Sequence, residues 1–339
     1  MLYIWIIVSL LILAVLFLMI FAYAVEKVAF GARCEGNPYL SYFTAADFDN
    51  LQADPVEFQG NRGQILRGNL YHKKGKSEYK ALLVFCHGMG GGHLSYTTEI
   101  DFFAKHGYLV LGYDNTGTLA SDGKSLVGMP QAVSDLKSAL QFAESDERTK
   151  NLPVLLAGHS WGGYTVCRAA SLSQVKGVLA FSAPNDAPEL LTAQAKAQTG
   201  KNFAFLKPFL RMYEHLRFGA SAARPTVALL KDVDVPVLLL HGEKDAVVPL
   251  SNAVADNSAL SKNKFVQSVI YPEKQHNVYA TLAAEQYIAE AFEKLGVLTK
   301  SKENADAAAT FAKTLDFRKM CEEDGDVMQT ALEFLDGCL

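Results

Sequence analysis

Two hydropathy regimes divide this chain. Residues 2–25 contain no charged side chain. As a helix that stretch is ~36 Å long, against ~30 Å of bilayer hydrocarbon. Further along, short apolar runs alternate with stretches in which apolar residues recur every three or four positions. The strand candidates are residues 64–71, 81–86, 108–113, 154–158, 177–182, 235–240 and 265–271. Helix candidates include residues 94–106, 130–144, 163–172 and 279–295. Runs such as Val237-Leu238-Leu239-Leu240 lack the polar alternation of a half-exposed strand, which is how strands covered on both faces read. Strands alternating with helices predict an α/β fold built on a mainly parallel, doubly wound sheet. Functional groups are then expected at the carboxyl ends of the strands.

Three segments depart from that alternation. Residues 26–54 read as an irregular connector, and residues 55–298 as the α/β domain. Within that domain, residues 185–232 are too long for a simple connection. Their apolar positions, Phe205, Leu206, Phe209, Leu210, Tyr213 and Leu216, follow helical spacing. They predict an inserted helical cap whose stripe either packs on the body or lines a path for an acyl chain. Residues 299–339 form a tail richer in charge, with helices expected near 305–315 and 326–335 and their charges facing solvent.

The uncharged stretch at residues 2–25 predicts an N-terminal transmembrane helix. Trp5 and Tyr23 stand near its ends, as interfacial aromatics do. Ala22-Tyr23-Ala24 offers a small-x-small cleavage site, but the stretch is longer than a signal core and no Lys or Arg precedes it. An uncleaved single-pass anchor in the lipid bilayer is therefore the expectation. Lys27 and Arg33 follow the span and favour a catalytic domain on the cytoplasmic side.

Composition narrows the chemistry. Half of the residues are hydrophobic and the net charge is −4, so a large core is available and there is no electrostatic footprint for nucleic acid. No phosphate-binding glycine loop and no Cys/His spacing for zinc appears, so neither a nucleotide cofactor nor a metal is expected. The five cysteines are irregularly spaced and odd in number, unlike a disulfide framework. Cys86 and Cys167 fall in a strand and a helix and read as buried thiols. Cys34 reads as a free thiol, or as an acylation site beside the membrane.

Gly158-His159-Ser160-Trp161-Gly162 follows the apolar run at 153–157 and opens a helical pattern. A Gly-x-Ser-x-Gly between strand and helix makes a sharp turn that exposes the serine hydroxyl. A serine needs a base to act as a nucleophile, and the base needs a carboxylate to fix its tautomer. Asp245 falls in the loop after the strand at 235–240, and His276 in the loop after 265–271. His87-Gly88-Met89-Gly90-Gly91-Gly92 follows the strand at 81–86. There the backbone amides of Met89 and Trp161 are candidates to hold an oxyanion. Asp186, after the strand at 177–182, is the rival for the acid.

The glycine run, the elbow and the order Ser160, Asp245, His276 resemble the α/β-hydrolases. The chain is most similar to the serine hydrolases grouped with monoacylglycerol lipases, lysophospholipases and serine aminopeptidases. The resemblance covers roughly residues 59–295. It implies a carboxylic ester hydrolase acting through an acyl-serine on a small-molecule or lipid ester, with no cofactor. A serine aminopeptidase is the alternative, with Asp186 or Glu189 to bind a substrate amine; a non-catalytic anchored binding module is the other. One departure stands out. The stretch at 114–121 resembles the Asp-x-Arg-Gly-x-Gly-x-Ser turn of these enzymes, with Thr116 in place of Arg and Leu119 in place of Gly. The usual bonds of that turn then need another source.

Overall fold

The computed structural model describes residues 1–300 and 302–339. Among them the strands are β1 (Leu51–Gln59), β2 (Ile65–Lys73), β3 (Leu82–Cys86), β4 (Leu109–Tyr113), β5 (Val154–His159), β6 (Val175–Phe181), β7 (Val237–Gly242) and β8 (Val266–Tyr271). They form one sheet in the order β1-β2-β4-β3-β5-β6-β7-β8. β2 runs antiparallel to β1 and β4, and the pairs from β4 to β8 are parallel. The helices are α1 (Leu2–Phe30), α2 (Thr97–Lys105), α3 (Met129–Ser145), α4 (Trp161–Ala169), α5 (Ala187–Thr199), α6 (Lys207–Phe218), α7 (Thr226–Leu230), α8 (Leu282–Leu298), α9 (Ala305–Ala312), α10 (Phe317–Met320) and α11 (Gly325–Asp336).

The apolar strands are sandwiched, as their unbroken hydrophobicity requires. In β3, Leu82, Val84 and Cys86 face a core shared with α3, α4 and α7. Leu83 and Phe85 face the opposite core, with α2 and α11, because successive strand residues point to opposite sides. Register then sets the functional edge. Cys86 is paired with Gly158, His159 with Phe181 and Gly242 with Tyr271. The loops after β3, β5, β7 and β8 therefore emerge side by side.

β1 lies partly in the stretch read as an irregular connector, and crosses the expected boundary after residue 54. Pro55 disguised it. Proline cannot donate to a ladder and is tolerated on an edge strand, and β1 is the edge strand, with Pro55 opposite Asn69. The expected cap region holds α5, α6 and α7. Leu206 and Leu210 of its stripe are buried in a cluster with Ala22 and Phe30 of α1. The stripe is packing surface, while Phe205 and Leu216 stay exposed.

α1 is one continuous helix that runs on to Phe30, five residues past the expected end of the span. Residues 2–17 are exposed on every side. From Leu18 onward one stripe of α1 docks on the cap: Phe21 packs edge-on against Phe203, and Tyr23 lies against Tyr213, at ring separations of 6.4 and 6.0 Å. Phe30 reaches Trp161 at 6.3 Å. The helix is long and apolar enough to cross a membrane.

The tail is part of the body. Val327, Met328, Ala331, Leu332 and Leu335 of α11 sit in the core beneath the sheet, and Asp336 accepts bonds from Lys80 Nζ at 2.8 Å and from the Tyr108 hydroxyl at 2.5 Å. Leu335→Ala empties a fully buried site and should cost about 2–5 kcal/mol, read as a shift of the urea midpoint. The turn at 114–121 has its missing arginine supplied from elsewhere. Arg33 donates to the carbonyls of Leu119, Ser121 and Gly123, the last two at 2.6 and 3.1 Å. Arg33→Ala leaves the carbonyls of Leu119, Ser121 and Gly123 without this donor and should lower stability by about 1–3 kcal/mol, whereas removal of its exposed partner Glu35 should leave the midpoint nearly unchanged.

Candidate active site

Ser160 sits between β5 and α4 at φ 55°, ψ −116°, a left-handed conformation that a side-chain-bearing residue adopts only under constraint. The constraint is the tightness of the turn. A Cβ on Gly162 would lie 1.9 Å from the Cys86 carbonyl oxygen, and one on Gly158 2.5 Å from that of Gly162. Only glycines let strand and helix approach this closely. Ser182, ending β6, is also left-handed, at φ 50°.

Asp245 and His276 meet. His276 Nδ1 lies 2.8 Å from Asp245 Oδ2, and Asp245 Oδ1 accepts from the amides of Val247 and Val248, both at 2.8 Å. Burial pushes the Asp245 carboxyl up, but the hydrogen bond and charge of His276, with the Val248 amide, outweigh it and hold the group below the usual range. An ionised carboxylate is an acceptor, so Nδ1 of His276 carries a proton, and in the neutral ring Nε2 is left with a lone pair. Among the described residues no hydrogen bond joins the Ser160 hydroxyl to His276. His159, which precedes Ser160 in the chain, has its ring centroid 4.7 Å from that of His276.

Asp186 has other work. It caps α5 through the Glu189 amide at 2.7 Å and pairs with Arg211 at 2.7 Å. Glu189 lies 3.5 Å from the same guanidinium and 3.8 Å from Lys207 Nζ.

The amides of Met89 and Trp161 donate to no other group among the described residues. The Met89 loop abuts the elbow: a Cβ on Gly88 would sit 3.4 Å from Ser160 Cβ. Trp161 is held by its indole N–H, which donates to the Met129 carbonyl at 2.9 Å.

Several residues of this region carry no sequence signal. The Gly88 amide donates to the Tyr96 hydroxyl at 3.0 Å, and that hydroxyl lies 2.9 Å from His159 Nδ1. His159 Nε2 lies 3.0 Å from the His276 carbonyl, which also accepts from Ser182 Oγ at 2.6 Å. A carbonyl only accepts, so Nε2 of His159 carries its proton and Nδ1 accepts from Tyr96. Burial, and then the nearness of His276, drive the His159 pKa down to about 3, so the ring is neutral. Glu285 of α8 accepts from the amides of Gln275 and Asn277, at 3.1 and 3.2 Å, on either side of His276. Lys274 ties the same loop to the tail through Asp324 at 2.6 Å. The elbow motif marks His159, whereas Tyr96 and Glu285 act from other segments, and Lys274, though in the His276 loop, has its partner Asp324 far along the chain.

Residues 77–228 match the family model described as serine aminopeptidase, S33. The match runs from just before β3 into α7, so it includes Met89 and Ser160 and stops short of Asp245 and His276. No curated protein sequence matches the chain. Among solved structures it is similar to an esterase of Pyrococcus furiosus, with 20% identity over 77% of this chain and 98% of that one and a TM-score of 0.57. It is also similar to an acylaminoacyl peptidase of Pyrococcus horikoshii, with 16% identity over 68% of this chain and 39% of that one and a TM-score of 0.50. The shared sheet gives the chain the α/β-hydrolase fold, and the segment at 77–228 resembles the serine aminopeptidase family.

Proposed function

We propose that the chain is a serine hydrolase of carboxylic esters, acting on lipid or lysolipid acyl esters from a single-pass membrane anchor. The observation that carries this reading is the Asp245–His276 hydrogen bond beside a strained serine at the same end of the sheet. Ser160 attacks the ester carbonyl and His276 Nε2 takes its proton. Asp245 holds the imidazole in the right tautomer and balances the imidazolium. The Met89 and Trp161 amides receive the developing oxyanion. The tetrahedral intermediate expels the alcohol, which leaves with the proton from His276. Water, activated by the same ring, then releases the acid and restores Ser160.

The aminopeptidase reading has the family description in its favour. It needs a free carboxylate for the substrate amine. The two acids suggested for that task, Asp186 and Glu189, are already engaged by Arg211. Ester hydrolysis makes no such demand and is preferred.

For the membrane, the docking of α1 favours retention over cleavage. Removal after Ala24 would strip Leu18, Phe21 and Ala22 from the cluster they share with Leu206 and Leu210. Lys27 and Arg33 favour a cytoplasmic catalytic domain.

Two tests follow. Fluorophosphonate labelling is expected to disappear in Ser160→Ala, and Asp245→Asn should lower kcat on nitrophenyl esters by ~10³–10⁴ by destabilising the tautomer; persistent labelling in Ser160→Ala ends the nucleophile assignment, and faster turnover of aminoacyl anilides than of esters favours the peptidase. The expressed full chain should stay with membranes after alkaline carbonate extraction with its N-terminal residues intact. Release as a shortened soluble form would identify residues 2–25 as a cleaved signal.

A further inference from the structure

A groove of about 800 Å³ opens beside the candidate site, on the side away from the cap. It meets the site through neighbours of the catalytic residues. Met89 and Gly90 line it on one side and Asn277, which follows His276, on another; Ser160 and His276 are not on its wall. From there it lies between the connector, with Tyr39 and Leu40, and the C-terminal part of the chain, with Ile288 and Phe292 of α8 and Phe317 and Met320 of α10. No cap residue lines it among those described. Its volume falls in the range of small-molecule sites, ~300–1,000 Å³.

The chemistry of the wall selects the occupant. Among the described lining residues none is Lys or Arg, so a phosphate or carboxylate would find no counter-charge there. Two acids reach the groove. Glu322 accepts from Thr281 Oγ1 at 3.0 Å. Glu99 is buried, and burial pushes its carboxyl up to about 8, so at neutral pH it is uncharged and offers no partner to an ammonium. What remains is a largely apolar wall with one exposed acid, Glu322, suited to a chain that carries no anionic group. The cap stripe, the other candidate path, is occupied by α1.

We infer that this groove holds the acyl chain of the substrate. With the carbonyl carbon at Ser160 and its oxygen between the Met89 and Trp161 amides, the chain leaves past Gly90 and Asn277 and lies between the connector and the α8–α10 segment. The inference rests on the reading of the chain as a serine ester hydrolase and extends it, naming medium- to long-chain acyl groups and the residues that measure them. Each methylene transferred from water to such a wall contributes ~0.8 kcal/mol, or about fourfold in kcat/KM per carbon while the groove fills.

The full chain in phospholipid nanodiscs provides the test. A fluorophosphonate with a dodecyl chain on phosphorus and a diazirine at its tip attaches to Ser160 with loss of fluoride. On irradiation it should crosslink to peptides containing residues 36–43, 288–295 or 317–320. Crosslinks confined to residues 203–216 would overturn the groove and assign the chain to the cap. In parallel, nitrophenyl acetate, butanoate, octanoate and dodecanoate are compared in wild type, Leu40→Trp, Ile288→Trp and the cap control Leu216→Trp. Either groove variant should lose at least tenfold in kcat/KM on dodecanoate while acetate stays within twofold, and Leu216→Trp should follow wild type. Retention of the full chain-length profile in both groove variants refutes the inference. Should a variant lose acetate turnover as well, the crosslinks on wild type decide. Absence of both labelling and ester turnover in wild type is a separate outcome: it removes the ester-hydrolase reading, and this inference with it.

Discussion

A neutral histidine ring holds the catalytic end of this fold together. His159 must donate at Nε2, because the His276 carbonyl only accepts, and it must accept at Nδ1, because the Tyr96 hydroxyl is bonded there. A protonated ring would have two donors and would reverse the second bond, making the Tyr96 hydroxyl an acceptor there. Burial prevents that by driving its pKa down to about 3. The chain of bonds runs from the Gly88 amide through Tyr96 and His159 to the backbone of His276. It joins the loops after β3, β5 and β8, the three that carry the proposed oxyanion donor, nucleophile and base. Because every member is buried, losing one leaves its neighbour unsatisfied, at a cost of ~1–3 kcal/mol. The geometry of the candidate site therefore depends on a residue to which the proposed mechanism gives no chemical step.

Legibility in the sequence followed the range of the interactions. Strands β3, β4, β5 and β7 were readable because each buries both faces and is written in almost unbroken apolar residues. The elbow was readable because close approach of backbone excludes side chains, and Gly158 and Gly162 record that locally. Asp245 and His276 were readable as strand-end residues in a known order. β1 was missed, since Pro55 argues against a strand unless its position at the sheet edge is known. Arg33 was missed for a related reason. The turn at 114–121 lacks its own arginine, and nothing within the turn says that one arrives from residue 33. Glu285 and Lys274 brace the His276 loop from α8 and toward the tail, and such long-range bonds leave no periodicity to detect.

The segments that looked peripheral turn out to do structural work. The connector supplies Arg33 to the turn and, through Cys34 Sγ, a bond of 3.0 Å to the Gly90 carbonyl. The tail supplies Asp324 to Lys274 and a helix to the core beneath the sheet. Both also wall the groove. The central sheet positions the candidate site, and under the proposed function discrimination among substrates would belong to the additions at either end.

The proposed anchor constrains how the domain sits. Residues 2–17 of α1 are free on all sides, but sixteen helical residues reach only about 24 Å. Roughly 30 Å of hydrocarbon needs about twenty residues. A spanning helix must therefore sink its first docked turn to the edge of the hydrocarbon, as far as Phe21. Phe21 packs on Phe203, and Phe203 lies 6.4 Å from Phe205, which is exposed. The same movement carries these cap aromatics into the interface, where aromatic rings are favoured. α1 continues without a break into its docked half, so there is no flexible linker to relax the arrangement. In the proposed anchored state the cap therefore lies against the lipid.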